Sequence, residues 1–97
     1  MYAVIFRATV GHLDQAYNEA IERMKALAFD EYGCLDFVAM MDGEDRIAIS
    51  YWQTEQQLLN WKRNSEHLQV QETGKGQWYQ SYTVQVAEIS REYSFNR

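Results

Sequence analysis

The sequence lacks proline altogether and has one cysteine and two histidines in 97 residues. The single cysteine, Cys34, excludes an internal disulfide and fits a reducing compartment. Two distant histidines, one cysteine and no clustered carboxylates give no metal-ligand spacing, so no metal site is expected. The chain also lacks linkers, repeats and low-complexity segments, which predicts a single domain over residues 1–97.

Positive charge and long apolar runs are scarce as well. The nine Lys and Arg residues are scattered singly and the net charge is −5, which argues against a nucleic-acid groove, because such a groove needs a basic stripe. No apolar run reaches the length of a membrane span. The N-terminal segment MYAVIFRATV has no basic leader or cleavage site, so it predicts a strand and not a signal peptide. These absences predict a cytoplasmic protein without nucleic-acid or membrane partners.

Hydrophobic periodicity predicts the element order β-α-β-β-α-β. The four strands are expected where β-branched and aromatic residues concentrate: Tyr2–Val10, Cys34–Met41, Arg46–Trp52 and Ser81–Arg91. The second and third strands are joined across residues 42–45, where Gly43 suits a hairpin turn. In the last strand the apolar parity changes, which predicts a bulge or bend near Val86.

Apolar residues at three- and four-residue steps predict the two helices. The first stripe runs from Leu13 and closes near Gly33. Thr54 followed by Gln57 is a capping-box start for the second helix. Its predicted apolar stripe is Leu58, Trp61 and, after a break near residues 64–65, Leu68. The helix is predicted to end at Gly74 and Gly76.

This order predicts a ferredoxin-like α+β sandwich with both helices on one face of an antiparallel sheet. The strands carry apolar residues on both parities, for example Val4 and Phe6 against Ala3 and Ile5. Helices can cover only one face, so the second face would remain a large apolar patch unless another copy covers it. We therefore expect a homodimer with two sheets packed face to face.

The segment from Tyr51 to Tyr82 holds all three tryptophans and His67. An aromatic cavity with one imidazole is what a small-molecule site in so small a domain requires, but the same residues could form only the core. His67 could act as a base near neutral pH, or it could lie at the start of a helix segment, capped by Ser65, and bond the backbone. Trp61 lies on the helix stripe, where it could be a pocket wall, core, or both.

Three further residues are candidate ligand contacts. Asn60 lies one step off the stripe and could orient a substrate oxygen, or it could be a solvated helix residue. Tyr51 could line a cavity on one face of its strand. Arg7 stands among apolar residues and needs a carboxylate or a bound anion as its partner.

Four other residues are predicted to be structural. Trp78 and Tyr79 would follow the glycines in a loop, where they could close the pocket, although packing in the core or a dimer interface is favoured. His12 would be a surface residue, and Cys34 a buried, inert thiol.

The chain from Tyr51 onward resembles the antibiotic biosynthesis monooxygenase domain family, which consists of dimeric α+β barrel proteins. The element order extends the resemblance over the whole chain. The residues that carry it are Trp61-Lys62, Glu66-His67, Gln71, Gly74, Trp78-Tyr79, Ser81-Tyr82, Val86 and Arg91-Glu92-Tyr93.

The resemblance implies a pocket between sheet and helices in each subunit. It implies a monooxygenase that oxidises a small phenol, hydroquinone or polyketide-like aromatic with O₂ and without a cofactor, with His67 as the base. Other relatives bind and degrade haem: their tryptophan matches Trp61, but their axial histidine is Gln71 here, and Phe6 and Arg7 replace their asparagine region. A non-catalytic dimeric module that binds a small ligand is the third hypothesis.

Overall fold

The computed structural model describes the backbone of residues 1–97 and all side chains except those of Ser65 and Glu66. In this described backbone the strands are β1 (Tyr2–Val10), β2 (Asp36–Asp42), β3 (Asp45–Trp52) and β4 (Tyr79–Glu88). The α-helices are α1 (Gln15–Glu31), α2 (Glu55–Lys62) and α3 (Ser65–Thr73), and a π-helical turn over Gly74–Trp78 leads into β4.

The strands form one antiparallel sheet in the order β2-β3-β1-β4. The predicted ferredoxin-like α+β fold is therefore confirmed. None of the described helices has the length and apolar character needed to cross a membrane.

Local sequence signals set the starts of α1 and α2 and the turn of the hairpin. Asp14 caps α1 by accepting the Tyr17 N–H at 2.9 Å. The predicted capping box of α2 is present, because Thr54 Oγ1 accepts from Gln57 N and Gln57 Oε1 accepts from Thr54 N. The hairpin between β2 and β3 turns at Gly43, whose φ is +61°.

The helices cover one face of the sheet, which we call the helix face. Val4 on β1 and Trp52 on β3 lie there, in one buried cluster with Met24 and Leu27 of α1 and Leu58 of α2. The alternation of a strand then assigns the neighbouring residues to the opposite, open face.

The open face is apolar and partly exposed. Val38, Met40 and Ile47 are 38%, 64% and 37% exposed. They alternate with helix-face positions in β2 and β3 and lie beside one another in the register of those two strands. Both parities of the strands are therefore apolar, as predicted, and this face presents the hydrophobic surface from which a homodimer is expected.

Four details differ from the sequence predictions. Leu68 is 50% exposed and not part of the buried stripe, because the break between α2 and α3 interrupts the helical periodicity that would relate it to Leu58 and Trp61. The helical path does not end at the glycines but continues as the π-helical turn, in which Gly74 is buried. The register shift lies between Thr9 and Val10 of β1, opposite the start of β4, and not near Val86. Two strands also differ at one end from the prediction: β2 begins after Cys34, and β4 ends before Arg91.

Candidate functional site

A partly open cavity of about 100 Å³ lies between the helix face of the sheet and the helices. Its wall is mostly apolar, since all four strands, α1 and α3 contribute aliphatic and aromatic side chains. These are Val4, Phe6, Ile21, Met24, Phe37, Ala48, Val70 and Val84. Such a surface suits an apolar or aromatic ligand.

Polar groups enter the cavity from a small number of side chains. They are Arg46, Trp61, Lys62, His67, Gln71, Tyr79 and Tyr82. Within the described side chains, the buried nitrogen and oxygen atoms that lack a hydrogen-bond partner are Arg46 Nε and His67 Nδ1. Both belong to residues that line this cavity. Unpartnered buried polar atoms are uncommon and costly, so a ligand or an ordered water in the cavity is expected to bond both of them.

His67 is held by the junction of α2 and α3. Its backbone N–H donates to Asn64 Oδ1 at 3.2 Å, and Asn64 also donates to the Tyr32 hydroxyl at 2.9 Å. Asn64 therefore caps the start of α3. The cap predicted from Ser65 falls on a side chain outside the described ones. The His67 imidazole itself lines the cavity.

Burial controls the charge of this imidazole. Desolvation, with a smaller contribution from the Lys62 ammonium, lowers the pKa of His67 to about 4. The side chain is therefore neutral at pH 7, with one ring nitrogen able to accept a hydrogen bond.

Trp61 joins the cavity to the core. Its ring lies 5.2 Å from that of Trp52 and 4.3 Å from that of His67. Its indole N–H donates to the Met24 carbonyl of α1 at 3.1 Å. The residue is 6% exposed, so it is a core side chain whose other side forms the pocket wall.

The other three predicted contacts lie outside the cavity lining. Asn60 is exposed, and its Oδ1 accepts from Gln56 at 2.8 Å. Tyr51 and Arg7 belong to the open face, because they alternate with Trp52 and Phe6 of the helix face. Arg7 is exposed and borders a second, more open depression, which Asp42, Asp45 and Arg46 also line. The structure thus brings together His67 and Trp61 but not these three residues.

Arg46 is a cavity residue that sequence reasoning missed. It has the same parity along β3 as Ala48 and the buried Trp52, and this parity is the signal that could have revealed it. Its guanidinium lies 5.5 Å from the centre of the Tyr17 ring. Tyr82 was likewise not predicted to line the site. Tyr79, for which closing the pocket was one alternative, begins β4 and does not lie in a loop.

A network of aromatic side chains closes this end of the cavity. Trp78 is buried against Tyr17 with ring centres 5.2 Å apart, and its indole N–H donates to Asp14 Oδ1 at 3.2 Å. Trp78 is therefore core. Tyr79 donates its hydroxyl to that of Tyr17 at 3.4 Å, and burial raises the pKa of Tyr79, so this phenol stays protonated.

The remaining candidates have structural environments. His12 is exposed. Cys34 is buried with its thiol donating to the Asp36 carbonyl at 3.1 Å, and burial raises its pKa, so the thiol is unreactive at neutral pH. Among the residues the structure describes, no group of three metal-ligating side chains comes together.

Solved structures with the same fold define the class of protein. SnoaB from Streptomyces nogalater, a cofactor-independent oxygenase solved in a mutant form, matches with a TM-score of 0.78 at 11% identity, covering 94% of each chain. Rv0793 from Mycobacterium tuberculosis matches with a TM-score of 0.80 at 17% identity, covering 96% of this chain and 98% of its own. A structure of an antibiotic biosynthesis monooxygenase gives 0.67 at 14% identity, covering 94% and 100%. The domain therefore has the fold of the antibiotic biosynthesis monooxygenase-like proteins.

Sequence comparison assigns the family. No family model matches the chain. The chain is 37% identical over 95 residues to the uncharacterized protein YqjZ of Bacillus subtilis (strain 168), and the match covers 97% of this chain and 83% of that protein. The chain belongs to the YqjZ family.

Proposed function

We propose that this protein is a cofactor-independent monooxygenase that oxidises a small phenol with O₂. The observation that carries the proposal is the half-buried His67 imidazole, whose buried Nδ1 is unpartnered in the wall of an aromatic cavity. SnoaB, which shares the fold, is a cofactor-independent oxygenase. In the proposed site His67 accepts the phenolic proton and Trp61 holds the imidazole in place.

The reaction balances without a cofactor. A phenol with a para C–H and one O₂ give a p-quinone and one water. The ring carbon exchanges its hydrogen for one oxygen atom, and the second oxygen atom leaves as water with that hydrogen and the phenolic proton. The substrate supplies all four electrons, so an electron-rich phenolate in a dry pocket is the chemical requirement.

The cavity volume limits the ligand. An apolar cavity of about 150 Å³ takes one benzene molecule, whereas this cavity is about 100 Å³. A single aromatic ring therefore fits with small side-chain movements, and a fused polyketide ring system requires larger ones. A haem is larger still, and Gln71 lines the cavity in place of the expected histidine, so we do not propose haem binding.

A dimer and a cytoplasmic location are also part of the proposal. The exposed apolar side chains of the open face support the dimer. The cytoplasmic location rests on the single cysteine, Cys34.

Oxygen uptake tests the enzyme proposal. A panel of single-ring phenols and quinols is incubated with wild type and with His67→Ala, with protein-free autoxidation subtracted and ¹⁸O₂ used to follow the oxygen atom into the product. We expect labelled quinone from the wild type and a rate lower by roughly 10²- to 10⁴-fold in His67→Ala. Equal rates in the two proteins would remove His67 from the mechanism.

One observation favours a second function, a non-catalytic module that binds a small aromatic ligand. With the pKa of His67 at about 4, full transfer of a proton from a phenol of pKa about 10 costs about 8 kcal/mol. Catalysis therefore requires another group to stabilise the phenolate, and without one the cavity would only bind. Recovery of an unchanged ligand, with no turnover of any substrate, would support this function.

A further inference from the structure

Arg46 lies in an unusual position for a charged residue. It pairs with Ala8 of β1 and Met41 of β2, and it shares the helix face of β3 with Ala48 and Trp52. The side chain is half-buried beneath α1. An arginine in such a place ordinarily has a carboxylate or several acceptors around it.

The described side chains supply no such partner. The guanidinium lies over the Tyr17 ring at 5.5 Å, which is a cation–π contact, and Arg46 Nε is buried without a hydrogen-bond acceptor. No carboxylate among the described side chains forms an ion pair with Arg46. Tyr79 lies nearby, but it keeps its proton and cannot neutralise the guanidinium.

The cavity as a whole is positively charged. Arg46 and Lys62 both line it, while no aspartate or glutamate appears among the lining residues that the structure describes. His67, Tyr79 and Tyr82 are the other titratable groups in the wall. The protein has a net charge of −5, so this cavity is a local exception that attracts anions.

The cavity that Arg46 lines also contains several aromatic rings. The Phe6 ring lies 5.3 Å from that of Tyr79 and 5.5 Å from that of Tyr82, and all three residues line the cavity. A planar ring can stack among these side chains while a charged oxygen on its edge meets the guanidinium.

We propose that Arg46 is the anion-binding residue of the cavity and that the ligand binds as a phenolate, with its oxygen on the guanidinium. This inference rests on the proposed function and supplies what that function lacks, because an arginine beside a phenol favours the deprotonated form. The phenolate is then stabilised by Arg46, and His67 needs only to accept or relay the proton.

4-Nitrophenol is the test ligand, because its phenol and phenolate absorb at different wavelengths and it titrates near neutrality. It is titrated with wild type, Arg46→Met and Arg7→Met, and its neutral analogue 4-nitroanisole is titrated in parallel. Arg7 is the matched control, since it has the same side chain on the adjacent strand but lies on the open face. Arg46→Lys tests whether charge alone is enough.

We expect the wild type to lower the apparent pKa of bound 4-nitrophenol relative to the free dye. Arg46→Met should weaken binding of the phenolate by roughly 10- to 100-fold and abolish the pKa change. Binding of 4-nitroanisole should stay within about twofold, since it needs only the aromatic wall. Arg7→Met should behave as wild type, and Arg46→Lys should retain part of the effect.

The inference would be overturned if the wild type did not bind 4-nitrophenolate, or if Arg46→Met bound it as tightly as the wild type. It would also be overturned if Arg46→Met lost the charged and the neutral ligand equally, since that would show a role in cavity shape. Oxygen uptake by the same proteins separates this inference from the proposed function. Arg46-dependent phenolate binding without oxygen uptake keeps the anion site and removes the oxygenase. If Arg46→Met leaves oxygen uptake unchanged, the oxygenase is kept and the anion site is removed.

Discussion

The His67 imidazole meets the Trp61 indole edge to face, with ring centres 4.3 Å apart and ring planes at 89°. The same indole is fixed to α1 through its bond to the Met24 carbonyl. Because Trp61 is anchored in the core, it holds the imidazole in the cavity wall. This contact therefore links the stability of the fold to the chemistry of the site.

The burial of His67 predicts a specific dependence of stability on pH. The pKa is about 4 in the folded protein and 6.5 as the ordinary value. The unfolded chain therefore binds more protons than the folded protein between these pH values. The stability that depends on a neutral His67 is complete above about pH 6.5 and is lost as the pH falls to about 4. We expect a loss of roughly 3 kcal/mol in the free energy of unfolding from this group.

Urea unfolding at pH 7 and pH 4 measures this loss. Wild type is compared with His67→Gln, which should lack this part of the pH dependence, and with His12→Gln, the exposed histidine, which should keep it. Parallel pH dependence in wild type and His67→Gln would contradict the buried, neutral imidazole.

Two leucines of the same predicted stripe should respond differently to truncation. Leu58 is fully buried, whereas Leu68 is 50% exposed. We expect Leu58→Ala to cost about 2–5 kcal/mol through lost burial and a cavity, and Leu68→Ala to stay within about 0.5 kcal/mol. Urea midpoints at constant m-value measure both, and a comparable cost at the two sites would contradict the exposure of Leu68.

Two glycines with positive φ form a second matched pair. Gly33 has φ +83° and Gly43 has φ +61°, so a Cβ is strained at both. At Gly33 the Cβ would also lie 2.7 Å from Gln57 Nε2, while at Gly43 it would meet nothing within 4 Å. Displacing the Gln57 side chain would break the capping box of α2. We expect Gly33→Ala to cost about 1 kcal/mol more than Gly43→Ala, measured by thermal unfolding, and equal costs would argue against this contact.

The open face predicts the behaviour of the protein in solution. We expect a dimer at micromolar concentration in sedimentation, and a dissociation constant at least ~100-fold higher for Ile47→Lys, which would place an unpaired charge in the interface of both copies. Leu68→Lys is the control, because Leu68 is an exposed apolar residue of α3, outside that face. A monomeric wild type, or equal dissociation of both variants, would overturn the dimer.

Most of the fold could be predicted, because its signals are local. The capping box at Thr54 and the turn at Gly43 depend on residues a few positions apart, and both are present as predicted. The exposure of Leu68 could not be predicted in this way, since it depends on how α3 departs from α2. The π-helical turn ending at Trp78 is likewise set by packing against Tyr17 and Asp14, which lie more than 60 residues away in sequence.

The sequence by itself determined the elements, the ferredoxin-like order and the two apolar faces of the sheet, because periodicity and capping act over a few residues. It also marked His67 and Trp61 as candidates. Only the tertiary structure decided which side chains share one cavity: it excluded Asn60, Tyr51 and Arg7 from the lining and brought in Arg46. The physical reason is that these side chains become enclosed only when α1 and α3 pack over the sheet. This packing leaves the Arg46 guanidinium unpartnered and keeps the His67 imidazole neutral.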